Sequence, residues 1–548
     1  MTILRQLMAL VDADPNARIL IEPGVAGDRI WLRGEFADLV AAQAAHLREH
    51  GIGAGDCVGV WLPSWAEALA WQYAARAVGA HVVGINTRYN VAEVAHILEM
   101  GSPKAVVVAA GFRGLDLIGR LRDALAKSGR TAPFVVPTTG PGGAALADVA
   151  GFDVGAGAAP CEPPLEGAWR QIRDDSTAEQ IAVAFTTSGS TGMPKLAAHR
   201  DAAVAAHATD VARHIGIDAV DVVAAPLPYS GTFGYSAIMG AIAAGATVLL
   251  HPVFDAGELL AGMAAHRATH IASGDDILER LRSAWASDRR DLSAMRWIGI
   301  GDFNGDSHRV AQWARDEFGT STVGVYGSSE VFALTSTWSI DDELPLRWNG
   351  GGHLVNDTME VRVVGDDGAV LAYGDEGEIQ LRGPNIVDAY LGQPEKLAEN
   401  VSGDGWFSTG DVGRMVGERT FEYVCRASDA LRLSGFLVEP DEIAAHLITH
   451  PAVVKAKVVG GRRAGQTAAI GFVTVHEGSA VSADELIAHC ARSLARFKVP
   501  AEVHVIDEMP VADGVNGTKI KAATLRMWAE NGIPVSAGNE GPTTKEHQ

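Results

Sequence analysis

Residues 186–195 read TTSGSTGMPK, which packs hydroxyl side chains, two glycines and a lysine into one short stretch. Gly189 and Gly192 let the backbone approach an anion closely. Their amides, with the hydroxyls of Thr187, Ser188, Ser190 and Thr191, can donate to phosphate oxygens, and Lys195 adds a point charge. The competing reading of such a stretch is a plain polar surface turn. A Walker-type loop is excluded, because Pro194 stands where its second glycine belongs and Leu196 follows the lysine.

A phosphate cradle needs a strand to end in it and rigid elements to hold it. The run IAVAF before it predicts a strand, and DAAVAAHATDVARHI after it predicts a helix. Upstream, FADLVAAQAAHLREHG, WAEALAWQYAARAVG and AEVAHILEMG read as helices alternating with the strands CVGVWLP, HVVGIN and AVVVAAG. That rhythm predicts α/β layers with largely parallel sheets. Short alternating strands with Asp-Gly turns over 359–382 predict a β-rich subdomain, and a smaller α/β module follows Cys425. The glycine-, alanine- and proline-rich stretch 137–166 reads as a loose connection, and 533–548 as a tail.

The chain has 548 residues, more than one hydrophobic core sustains, so at least two domains are expected. Its formal net charge of −22 argues against a nucleic-acid partner. The four cysteines are scattered, which predicts reduced thiols and a cytoplasmic protein. Residues 222–250 carry no charge, but prolines and glycines interrupt them, so a buried loop–helix–strand is expected and not an integral membrane segment.

Several further segments, in order along the chain, resemble the signatures of the adenylate-forming superfamily of acyl- and aryl-CoA synthetases, luciferases and peptide-synthetase adenylation domains. They are TTSGSTGMPKLAAH, INTRYNVAEVAHIL (85–98), YGSSE (326–330), GWFSTGDVGR (405–414), RASDALRLSGFLVEPDEI (426–443) and NGTKIKAATLR (516–526). The similarity runs over about 20–530. It implies a large N-terminal domain (1–427) of α/β sheets plus a β-rich part. A small mobile α+β domain (428–532) carrying a catalytic lysine and a flexible tail (533–548) would follow.

The implied reaction has two halves. A carboxylate attacks the α-phosphate of ATP, giving acyl-AMP and pyrophosphate; a thiol, usually that of CoA, then displaces AMP. The resemblance makes Glu330 the Mg²⁺ ligand, Ser329 a donor to the α-phosphate and Tyr326 the residue beside adenine, with Gly327 and Ser328 completing the motif. Asp411 would accept from the ribose hydroxyls, Arg426 would reach the nucleotide from the domain junction, and Gly301 and Asp302 align with an adenine-contacting loop. Lys519 would bridge acid and α-phosphate, with Lys521 as its rival. Ser428 aligns with the hinge, and Ser434, Gly435 and Phe436 with the thiol tunnel.

Three departures stand out. Ser428 replaces the usual charged hinge residue, Thr518 replaces the glycine before the lysine, and Gly231 falls where an acid-gating histidine is common, flanked by Tyr229 and Phe233. The apolar run after them suits a hydrophobic acid, whether fatty, cyclic or aromatic. The expected activity is an AMP-forming acid–CoA ligase using ATP, Mg²⁺ and CoA. A stand-alone adenylation enzyme loading a carrier-protein thiol is the alternative, and a non-catalytic nucleotide-binding homologue ranks below both. A homodimer is left open.

Overall fold

The helix Ile3–Ala13 opens the chain, with Thr2 capping it and Ile3, Leu4, Leu7 and Val11 buried along one face. That is the three- and four-residue spacing of an amphipathic helix. The structure is a computed structural model. It describes residues 1–24, 27–140, 166–187, 194–303, 305–427, 431–433, 436–438, 440–463, 466–494, 498–514 and 517–533.

Two large sheets form the N-terminal part. Among the described residues the smaller has seven strands; Cys57–Trp61, His81–Gly84, Ala105–Ala109, Phe134–Thr138 and Ile181–Thr187 run parallel, and Lys195–Arg200 joins them antiparallel. The helices Arg33–Glu49, Ala66–Ala77 and Val91–Gly101 alternate with its early strands, as the α/β rhythm predicts. The larger sheet has thirteen strands among the described residues. Its parallel half includes Val222–Ala225, Thr247–Leu250, His270–Gly274, Trp297–Gly301 and Ser321–Ser328.

The β-rich part does not stand as a separate sheet. Glu360–Val364, Glu376–Arg382, Phe407–Gly417 and Thr420–Arg426 form the antiparallel end of the thirteen-stranded sheet, joined through Gly351–Leu354. The uncharged stretch 222–250 is a strand, the buried helix Thr232–Ala243 and a second strand. No helix among the described residues is long and apolar enough to cross a membrane. Cys57, Cys425 and Cys490 are buried.

A small α+β unit follows. Val453–Arg463, Gln466–Val475 and Glu502–Val505 make its sheet, with helices Pro440–Ile448, Ala483–Ala491 and Ala522–Asn531 around two apolar clusters. Ile533, the first residue of the expected tail 533–548, packs against one of these clusters, and 534–548 lie outside the described residues.

A buried ion pair ties the elements that aim the strand Ile181–Thr187. Arg76 and Asp201, both fully buried, meet at 2.6 Å; Asp201 also accepts from the Ile3 amide at 2.7 Å, and Arg76 donates to the Ile181 carbonyl at 3.0 Å. Removing one partner would strand a charge in the core, a loss of about 3–5 kcal/mol.

Burial pushes the imidazoles of His199, His207 and His251 down to about 4. Each is neutral in the fold but takes up a proton near 6.5 when unfolded, so its contribution is complete above that pH and is lost as pH falls toward 4. Between pH 8 and 5 the loss should be about 2 kcal/mol per histidine. Glu22 and Glu67, raised by burial, act in the opposite sense, so the check is comparative. Urea melts of His251→Gln should show a shallower pH dependence than the wild type, and an identical slope would refute this account.

Candidate nucleotide and acid site

The two strands around the glycine-hydroxyl stretch form an antiparallel pair, with Thr187 opposite Lys195. Ser188, Gly189, Ser190, Thr191 and Gly192 lie outside the described residues. The element directly after the stretch is the strand Lys195–Arg200, and the expected helix follows it over Asp201–Ile215, the residues predicted for it. Four successive residues of that strand, 196–199, are buried. A strand covered on both faces lacks the alternation that would separate it from the alanine-rich helix behind it.

Side chains from distant segments meet at the end of this strand pair. Lys195 Nζ sits 5.1 Å from the centre of the Tyr390 ring, a cation–π distance, and the Tyr390 hydroxyl donates to Glu330 Oε1 at 3.5 Å. Thr232 Oγ1 donates to Ser329 Oγ at 3.0 Å, and Ser329 Oγ donates to the Thr186 carbonyl at 3.4 Å. The Thr186 hydroxyl shares a 2.6 Å bond with Tyr89, and burial pushes that phenol up to about 12. Tyr89 is placed by a capping box, in which Asn90 accepts from the amides of Ala92 and Glu93 while Glu93 accepts from that of Asn90.

Glu330 follows a tight approach of two strands. A Cβ on Gly327 would lie 2.3 Å from the Phe332 carbonyl oxygen and 2.5 Å from Ala333 Cα, so only glycine fits there. Ser328 Oγ accepts from the Glu330 amide at 3.2 Å.

A second group lies on the antiparallel end of the large sheet. Asp411 and Arg426 face each other across paired strands, with Arg426 Nη1 donating to Asp411 Oδ1 at 2.5 Å. Tyr326 donates its phenol to Asp411 Oδ2 at 2.6 Å, and its ring packs edge-on against Phe421. The Asp411 side chain is 6% exposed and that of Arg426 is 47% exposed, so the cation still faces solvent while the anion is covered. Burial works against the Arg426 charge, but Asp411 outweighs it and the guanidinium is raised overall.

Gly301 ends the strand Trp297–Gly301, and a Cβ there would press on Phe233 and Phe303, both at 3.2 Å. Asp302 follows. Desolvation, then the neighbouring Asp275, raises its carboxyl above the usual carboxylate range. Gly231 caps the helix Thr232–Ala243, and Phe233 is buried in that helix. Tyr229 stacks on Tyr235 at 5.1 Å and borders a cavity of about 10 Å³ that Val60, Gln72, Gly84 and Ser230 also line. Tyr229 is thus part of a buried wall beside the glycine expected to open the acid site.

In the small unit, Lys519 lies in the strand Gly517–Ile520, opposite Ala512. That strand runs beside the helix Asp275–Ser287 of the large part. Lys521, its rival, instead stands at the N-terminal cap of the helix Ala522–Asn531. Ser428, Ser434 and Gly435 lie outside the described residues; Phe436 is described by its backbone, which pairs with Leu433.

Sequence reasoning missed Tyr390 and gave His199 no role. Tyr390 reaches Lys195 and Glu330 only because the two-residue strand Ala389–Tyr390 pairs with Lys195–Arg200, and no local pattern announces such a pairing.

With this geometry in view, the profile of the AMP-binding enzyme family matches residues 10–391. The chain belongs to the AMP-binding enzyme family. The profile of the AMP-binding enzyme C-terminal domain matches 442–512. A 3-[(3aS,4S,7aS)-7a-methyl-1,5-dioxo-octahydro-1H-inden-4-yl]propanoyl:CoA ligase of Rhodococcus jostii is 30% identical over 485 residues, 87% of this chain and 90% of that protein. An indoleacetate–CoA ligase of Aromatoleum aromaticum is 29% identical over 500 residues, 89% and 93% of the two chains. The structure of ATP-bound MatB from Rhodopseudomonas palustris superposes with a TM-score of 0.81 at 23% identity, covering 96% of this chain and 99% of that one, a likeness of fold. The resemblance to the adenylate-forming superfamily and the α/β architecture with a small C-terminal domain therefore stand for this AMP-binding family member.

Proposed function

We propose that the protein is an AMP-forming carboxylic acid–CoA ligase acting on a hydrophobic acid. The observation that carries this reading is the meeting of Lys195, Ser329, Glu330 and Tyr390, from segments far apart in sequence, at the mouth of a glycine-hydroxyl stretch. The enzyme family and the CoA-ligase names of its relatives support it.

The chemistry follows from what each residue offers. A carboxylate cannot expel oxide, so it must first gain a phosphate leaving group. In adenylation a carboxylate oxygen bonds to the α-phosphorus of ATP and the bond to pyrophosphate breaks. Lys195 and the hydroxyls of the stretch hold the polyphosphate. Glu330 would hold the Mg²⁺ that accompanies ATP through a hard carboxylate oxygen, and the metal would offset charge on the polyphosphate. Among the described residues its carboxylate accepts only a long side-chain bond, from Tyr390, so its lone pairs suit a cation. Lys519 neutralises charge between acid and α-phosphate. Asp411 takes the ribose hydroxyls. In the second half the CoA sulfur attacks the acyl carbon, the bond to AMP breaks, and a thioester remains. The large part (1–427) and the small one (428–532) turn about Ser428 between the two halves, with 434–436 along the thiol path.

Both relatives named above act, by their names, on acids carrying fused rings. Phe233 and Phe303 crowd Gly301, and Gly231 stands where an acid-gating histidine is common, so a ring-bearing acid is the proposed class.

A panel of aliphatic, aryl and fused-ring acids, scored by AMP release with and without CoA, tests the reading. The expected result is acid-dependent ATP–pyrophosphate exchange without CoA and rapid AMP release with it, highest for fused-ring acids. Exchange absent with every acid would sink the ligase reading; exchange without CoA-stimulated turnover would sink the CoA half alone.

A further inference from the structure

The segment after Glu330 has an unusual backbone. Phe332 (φ 63°) and Leu334 (φ 62°) both sit in the left-handed region that bulky residues avoid. The carbonyls of Ser329, Glu330, Val331 and Ala333 are all held. His199 Nε2 lies 2.7 Å from the Ser329 carbonyl, the Val387 amide donates to that of Glu330 at 2.7 Å, and Thr335 Oγ1 donates to that of Val331. His207 Nε2 lies 2.8 Å from the Ala333 carbonyl. A carbonyl only accepts, so both histidines must carry hydrogen on Nε2.

The two imidazoles also stack on the same ring, that of Phe332, with centroids at 4.0 Å for His199 and 4.7 Å for His207. Each therefore grips one end of the turn by a hydrogen bond and its middle by ring contact. Asn385 sets His207 by donating to its Nδ1 at 3.1 Å. His199 comes from the strand that begins with Lys195, and His207 from the helix that follows that strand. The same short stretch of chain thus supplies both the phosphate-side lysine and the two groups holding the carboxylate turn.

We propose that His199 and His207 form a paired clamp that fixes the 329–333 turn, and so sets the Glu330 carboxylate at a constant distance from the Lys195 strand. They are positioning residues, since neither is placed against substrate. The proposal rests on Glu330 serving the Mg²⁺ of the ATP complex.

His199→Phe keeps a flat ring over Phe332 but removes the donor, whereas His199→Gln returns an N–H near the Nε2 position. Two quantities are read on the full chain: the Mg²⁺ concentration giving half-maximal ATP–pyrophosphate exchange, and amide hydrogen exchange over 328–334. His199→Phe should raise the first about tenfold, the weight of one buried hydrogen bond, and speed the second. His199→Gln should stay within about threefold on both. Asn385→Ser, which frees His207 and also removes a 3.3 Å bond to the Thr335 hydroxyl, should move both in the same direction by less, and serves if His199→Phe fails to fold. Unchanged hydrogen exchange in the phenylalanine and Asn385 variants would overturn the clamp, as would a glutamine variant no better than phenylalanine. Glu330→Gln separates the two ideas. If it leaves the Mg²⁺ dependence unmoved, the role of Glu330 falls, while hydrogen exchange still decides the clamp.

Discussion

Replacing Lys519 by alanine should lower acid-dependent ATP–pyrophosphate exchange by about a thousandfold, yet leave thioester formation from supplied acyl-AMP and CoA within a few-fold of wild type. The size follows from the charge involved. An anionic acid must approach an α-phosphate that is itself anionic, and loss of one fixed donor at such a centre commonly costs 10²–10³ in rate. The second half-reaction releases AMP from a carbon centre and has no such pair of anions to join. Lys519 lies in the strand Gly517–Ile520 beside the helix Asp275–Ser287, so it belongs to a part of the small unit that reaches the large one. Lys521→Ala is the control. That residue is an exposed helix cap, and its loss should change exchange by no more than about threefold. The measurement is isotope exchange for the first half and AMP release from synthetic acyl-AMP for the second. Equal losses in both halves, or a larger loss at Lys521, would end this division of labour.

What could be read before the structure was known depended on how local each signal is. The glycine-hydroxyl stretch, the YGSSE run and the STGD run carry their chemistry within a few residues, where spacing alone constrains what the backbone can do. Alternating helices and strands from Arg33 to Ala109 were legible for the same reason, since amphipathic spacing and short apolar runs are local patterns. The strand Lys195–Arg200 went unread because burial on both faces erases its period. The continuity of the thirteen-stranded sheet was missed because Gly351–Leu354, which joins its halves, is four residues long and mostly glycine, histidine and leucine. Tyr390 and the histidine clamp were invisible for a deeper reason. Each gains its meaning from a contact more than fifty residues away in sequence, and a buried histidine in a strand reads the same whether it holds a turn or merely fills space.

Asp411→Asn should raise the KM for ATP by about thirtyfold or more and, unlike the change at Lys519, should impair both half-reactions. The AMP moiety is present throughout, so a residue holding ribose acts in each. The structure adds an electrostatic reason. Asp411 is covered by protein and satisfies two donors at once, the Tyr326 phenol at 2.6 Å and the Arg426 guanidinium at 2.5 Å. An asparagine can keep one of these bonds through its carbonyl oxygen, but its NH₂ group then faces the other donor. Turning that NH₂ toward Tyr326 is tolerable, because a phenol oxygen also accepts. Turning it toward Arg426 is not, because guanidinium only donates. The variant should therefore retain the Arg426 bond, lose the charge that balances it, and leave the ribose a poorer acceptor. Because Arg426 stays half exposed, water softens the loss of its partner, and the stability change should be only about 1–2 kcal/mol. Tyr326→Phe removes one donor without changing any charge and should cost less than about fivefold in KM. The ratio of the two effects is the test. If Tyr326→Phe weakens ATP as much as Asp411→Asn does, then the packing of this strand pair, and not the carboxylate, governs nucleotide binding.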